Sequence, residues 1–149
     1  MKTKTSIALF LLVLMSVSSA WAKDSITYPK PGSEVRKQIC NAFRIPMTQQ
    51  VNGQKIVFVI HRLAVLNKNT AFIFCSIQRA NGKSVDWKNS KLKEAYEEGF
   101  FDNSHSGLLR KNSQGKWVVV DYIVGMTDVG YMNWPKKHKV PKKLIFKTP

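Results

Sequence analysis

The chain has 149 residues, with 24 Lys and Arg against 9 Asp and Glu, and a formal charge of +15. A chain of this size can bury one core unaided, and no stretch beyond residue 22 holds the roughly 18 consecutive apolar residues of a membrane-spanning helix. Two cysteines far apart make no redox or zinc motif, and so large a positive excess favours anionic surfaces while saying nothing of chemistry.

Residues 1–22 read as a secretory signal peptide. Lys2 and Lys4 form the charged start, Ile7–Met15 a short apolar core, and Ala20-Trp21-Ala22 a small-x-small cleavage site. The mature chain, residues 23–149, is then expected to be a single domain of charge +13, periplasmic or secreted. Pro29 and Pro31 make its leader extended. Ser33 is placed to cap a helix with Glu34 at its positive end. Val35, Ile39, Ala42 and Phe43 give that helix one apolar face, Arg36, Lys37 and Arg44 lie on its wetter side, and Pro46 is expected to stop it. Asn52-Gly53 marks a turn.

Lys55–Arg79 is the centre of the chain: two runs rich in Val, Ile and Phe, broken at Asn67-Lys68-Asn69, which is the pattern of a β-hairpin. Strict alternation puts Val57, Val59, His61, Leu63 and Val65 on one face of the first strand. Ile56, Phe58, Ile60, Arg62, Ala64 and Leu66 take the other. A turn follows at Ala80–Lys83. A short helix over Ser90–Glu98 should turn Leu92, Ala95 and Tyr96 inward and close at Gly99. His105–Lys111 and Trp117–Val124 read as strands, the second with Trp117, Val119, Asp121 and Ile123 on one face. Thr127 or Asp128 is placed to cap a last helical turn. Residues 135–149 form a basic tail holding Lys136, Lys137, Lys139, Lys142, Lys143 and Lys147. This order predicts an α+β fold, an N-terminal helix packed on a curved antiparallel sheet of about four strands. It fits a cystatin-like or nuclear-transport-factor-like cone with a pocket.

His61, Arg62 and Asp121 are polar residues inside apolar strands, and a buried charge needs a partner. They form either a pocket dyad, with Asp121 orienting His61 as general base, or a structural pair that fixes strand register. His105 beside Asp102 and Ser104 lacks a nucleophile-elbow context. The three histidines are too scattered for a metal site, and no glycine loop cradles phosphate, so no cofactor is indicated. Arg62 with Lys136, Lys137, Lys139, Lys142 and Lys143 are the binding candidates. Lysine runs without arginine forks do not point to sequence-specific nucleic-acid recognition. Cys40 and Cys75 either form a disulfide, which export permits, or act as two small apolar thiols.

Four segments carry a resemblance: Gly32-Ser33 with Arg36-Lys37 and Ile39, Val57–Leu63, Glu98–Asp102, and Gly125–Val129 with Trp134. Over nearly the whole mature chain it resembles an uncharacterised family of small secreted or periplasmic bacterial proteins. The resemblance implies an exported bacterial setting and no catalytic residues. The leading expectation is a non-enzymatic domain that binds an envelope protein or an anionic surface, of inhibitor, immunity or assembly type. The alternatives are a small-pocket enzyme or carrier using His61 and Asp121, and a membrane-surface effector acting through the basic tail.

Overall fold

A computed structural model describes residues 23–147. The expected signal peptide, and the last two residues of the tail, lie outside the described residues. The elements are β1 (Ile26–Thr27), α1 (Glu34–Gln50), β2 (Ile56–Leu66), β3 (Thr70–Arg79), a 3-10 turn (Trp87–Asn89), α2 (Lys93–Glu97), β4 (His105–Lys111), β5 (Trp117–Ile123), α3 (Trp134–Lys137) and α4 (Lys142–Ile145). The fold is α+β. Its five strands form one antiparallel sheet in chain order, β1 to β5. The strand beyond the expected four comes from the leader, where Ile26 and Thr27 pair with Leu66 and Val65.

The central hairpin forms as its composition predicts, with Asn67 and Lys68 both in the left-handed region at the turn. Helix α1 behaves differently from its expected end. It passes through Pro46 and runs to Gln50. Ile39, Phe43, Met47 and Val51 recur every four residues and are all fully buried. An interior proline costs about 3 kcal/mol. Burying Met47 and Val51 beyond it contributes roughly 1.5–3 kcal/mol each, enough to carry the helix onward. Val35, expected inward, is exposed. Ser33 sits at the N-cap position, but its hydroxyl donates backward to the Lys30 carbonyl at 2.8 Å.

Two β-bulges reset the faces that alternation predicts. Ile60 pairs with Cys75 and Arg62 with Phe74, so His61 is the extra residue. Ile56, Phe58 and Ile60 therefore join Leu63 and Val65 on the α1 side, while Ala64 and Leu66 face the other way. In β5, Leu108 pairs with Asp121 and Leu109 with Val119, leaving Val120 extra. Trp117 and Val119 thus face α1, and Ile123 faces the opposite layer. A bulge inserts one residue against none, and the side-chain period of two then inverts.

The sheet is covered on both faces. Ile39, Phe43 and Met47 of α1 fill the centre of the first side with Ile73, Ile77 and Leu109, and the expected cone is not matched exactly. Packing there is so close that a Cβ on Gly107 would lie 2.6 Å from the Phe43 ring. The second side is covered by the supposed tail. Trp134, Val140, Leu144 and Ile145 are buried against Phe72 and Leu108. Residues 135–147 are thus a structural layer whose lysines are left outward. The middle helix α2 is shorter than expected and buries no residue; Tyr96 is exposed. Asp128 caps no helix, and Asn133 holds the cap position of α3.

Candidate functional site

The bulge in β2 determines what the polar residues of this strand can do. It turns His61 and Arg62 toward the same face. His61 Nε2 lies 2.5 Å from Ser76 Oγ, and its ring lies 5.4 Å from that of Phe74. Arg62 reaches under the C-terminal layer and donates from Nη2 to the carbonyls of Lys143, Leu144 and Phe146 at 3.0, 3.1 and 3.3 Å. These are the carbonyls a short helix leaves unsatisfied at its C-terminal end, where a cation is favourable. Arg62 also stacks over Tyr28, 5.5 Å from the ring centre, and its Nε is buried with no hydrogen-bond partner.

β1 pairs only with Val65 and Leu66, so residues 60–63 lie on an open part of the β2 edge. A cleft of about 300 Å³ opens there, lined by Tyr28, Pro29, Arg36, Ile60, His61, Arg62, Leu63 and Lys147. Three permanent cations and a histidine meet in it, and among the described residues no carboxylate lines it. Arg36 comes from the first turns of α1, steadied by a 3.4 Å bond to the Pro29 carbonyl. Lys147 comes from the far end of the described chain. Like charges gathered without a counter-charge repel one another, and a bound anion relieves that repulsion.

The structure separates the expected dyad. His61 is on β2 and Asp121 on β5, with two strands between them, roughly 14 Å at the usual strand spacing. Asp121 instead accepts from Lys137 Nζ and His138 Nε2, both at 2.7 Å. Burial alone would raise its pKa; the hydrogen bonds and charges of Lys137 and His138 hold it below the usual carboxylate value. Asp121 is therefore a clasp that fixes α3 to the sheet. Arg110 adds to it by donating to the His138 carbonyl.

The other candidates disperse. Lys136, Lys139 and Lys142 are exposed on the outer layer. Lys143 contacts Asp24, with the carboxylate 3.8 Å away. Of the binding candidates only Arg62 enters the cleft. Ser104 donates to Asp102 at 3.0 Å while His105 turns into the core, so the three assemble no triad. Cys40 and Cys75 are both free thiols on facing elements of one core, Cys75 fully buried. Among the described residues, no group of three or more His, Cys, Asp or Glu side chains is placed to hold a metal. No helix among them is long and apolar enough to cross a membrane.

No family model, curated protein or solved structure matches the chain. What the cleft can do therefore follows from its own residues. It can hold an anionic group beside the apolar surfaces of Tyr28, Ile60 and Leu63. His61 has a hydroxyl partner in Ser76, and among the described residues no acid in the cleft orients it, which leaves a general base without its third member. Sequence reasoning singled out His61 and Arg62 but missed Tyr28, Arg36 and Lys147 as their companions. These lie far apart in sequence, and only the open β2 edge brings them together.

Proposed function

We propose that the chain is an exported, non-catalytic binding domain that engages an anionic group of a protein partner or envelope component. The observation that carries this reading is the convergence of Arg36, His61, Arg62 and Lys147 on one cleft that no carboxylate lines among the described residues. The overall charge supports it by drawing anionic partners toward the molecule. The competing structural role, in which Arg62 only caps α4, accounts for Arg62 but leaves Arg36 and Lys147 unexplained.

The test is a titration of the mature chain with inorganic phosphate, followed by amide NMR at low and moderate salt. Saturable shifts confined to the segments around Tyr28, Arg36, Arg62 and Lys147 are expected. They should weaken by about tenfold when Arg36→Gln and Lys147→Gln are combined. Shifts spread over the lysines of α3 and α4, insensitive to that pair of substitutions, would refute the cleft. Affinity capture from envelope extract at low and high salt then separates a shaped partner from a charge anchor, because only the latter is lost to screening.

A further inference from the structure

The opposite edge of the sheet offers a surface of another kind. β5 pairs with β4 on one side, and among the described residues no strand pairs with it on the other. Its outward N–H and C=O groups are a template for one more strand. Along this edge Val118, Val120 and Tyr122 are 42, 41 and 37% exposed, and Ile45 on the neighbouring face of α1 is 65% exposed. Between strand and helix run two adjoining clefts of about 400 and 390 Å³, which share Ala42, Ile45 and Trp117. Lys116 stands at one end, the remaining polar lining is uncharged, and among the described residues no carboxylate lines either cleft.

A free strand beside a helix, with an apolar trough between them, is the geometry in which an extended peptide adds to a sheet. Main-chain hydrogen bonds to β5 supply affinity, and alternate side chains reach into the trough. The groove's charge selects the occupant. A second copy of this chain would bring two strongly positive bodies together, whereas an acidic segment meets Lys116 and the field of the whole molecule. We propose that β5 and α1 form a docking groove for an extended, acidic segment of a partner protein. That segment lies along β5 as a sixth strand, with its apolar side chains over Ile45 and Pro46. The bulge at Val120 interrupts the edge, so the added strand pairs on either side of it. The groove is independent of the basic cleft, which lies at the other edge of the sheet.

The probe is a capped peptide as long as β5 that alternates Val with Glu. Amide hydrogen exchange of the mature chain is read with and without it. The outward amides of β5 are expected to slow by about tenfold or more at saturation, and the chain is expected to stay monomeric by sedimentation. A peptide N-methylated at alternate amides, and one with Lys in place of Glu, should each bind about tenfold more weakly or worse. The Ile45→Asp variant should do the same, and the exposure of Ile45 lets it fold. Unchanged β5 exchange under saturating peptide would overturn the proposal, as would equal affinity of the N-methylated peptide. So would self-association that protects the same amides without peptide, since the occupant would then be a second copy.

Discussion

Acid should destabilise this fold through one buried imidazole, His105. It is fully buried at the start of β4. Its Nδ1 accepts the Gly125 N–H at 3.1 Å, and its Nε2 lies 2.8 Å from Asn103 Oδ1. The Asn103 amide cannot be flipped at no cost, because Oδ1 also accepts the Ile77 N–H and Nδ2 donates to the Ile77 carbonyl. The proton is thereby assigned to Nε2, and the ring is held neutral. Protonating Nδ1 would set a donor against the Gly125 N–H. Burial lowers the His105 pKa from 6.5 to about 4, with the charge of Asp102 working weakly the other way. The native state then binds fewer protons than the unfolded chain between those values. Stability is complete above pH 6.5 and falls as pH drops toward 4. The total loss is about 3 kcal/mol, a large part of the 5–15 kcal/mol typical of a domain. Urea unfolding between pH 7.5 and 4.5, for the wild type and for His105→Gln, measures it. The variant should be less stable at neutral pH yet lose less on acidification, and the difference between the two slopes isolates His105 from the other titrating groups. Parallel slopes, or an NMR titration placing His105 near 6.5, would refute the reasoning.

Gly107→Ala should destabilise by roughly 1–3 kcal/mol, because the new methyl would press on Phe43 from 2.6 Å and the ring is itself fully packed; urea unfolding reads this as a lower midpoint at unchanged slope. Trp134→Ala should cost about 3–5 kcal/mol, since the indole packs edge-on to Phe72 at 6.2 Å under the outer layer. Deleting residues 134–147 should abolish cooperative unfolding, where a free basic arm would leave it intact. The two cysteines should resist iodoacetamide in the native protein at neutral pH. Burial and the neighbouring Cys40 push the Cys75 thiol up, and burial also raises Cys40, with Arg36 and Arg44 pulling it back. Both should react once the chain is unfolded without reductant; finding neither reactive until reduction would mean that they are bridged.

The central hairpin, the two later strands and the first helix were legible because their signals are local. Val, Ile and Phe alternate, Asn-rich turns break the runs, and apolar residues recur at helical spacing. The faces were legible only up to the bulges. Nothing in Ile60-His61-Arg62 or Val119-Val120-Asp121 announces an extra residue, since a bulge depends on how the partner strand is twisted and paired. The false pairing of His61 with Asp121 has another cause, the strand order, which places β3 and β4 between them. Pro46 misled for another reason: a local breaker was weighed without the buried Met47 and Val51 beyond it. The tail misled because its lysines are obvious in sequence, while Trp134, Val140, Leu144 and Ile145 are spaced too irregularly to read as a packed layer.

The two edges of the sheet are defended differently, and this is why different partners are proposed for them. Exposed edges invite pairing unless charge, a bulge or a very short strand blunts them. At the β2 edge all three devices are present: the two-residue β1, the bulge at His61, and the charges of Arg36, Arg62 and Lys147. A second strand is poorly received there, and what remains attractive is the charge itself. The β5 edge has a bulge but no exposed charge between Lys116 and Asp121, and Asp121 is already bonded to Lys137 and His138 on the far face. Val118, Val120 and Tyr122 are left beside an apolar trough. Under the two proposals, the β2 edge receives a compact anion and the β5 edge an extended, acidic strand with apolar side chains over the trough. A partner able to use both would need an anionic group and a strand presented on opposite sides of one small domain.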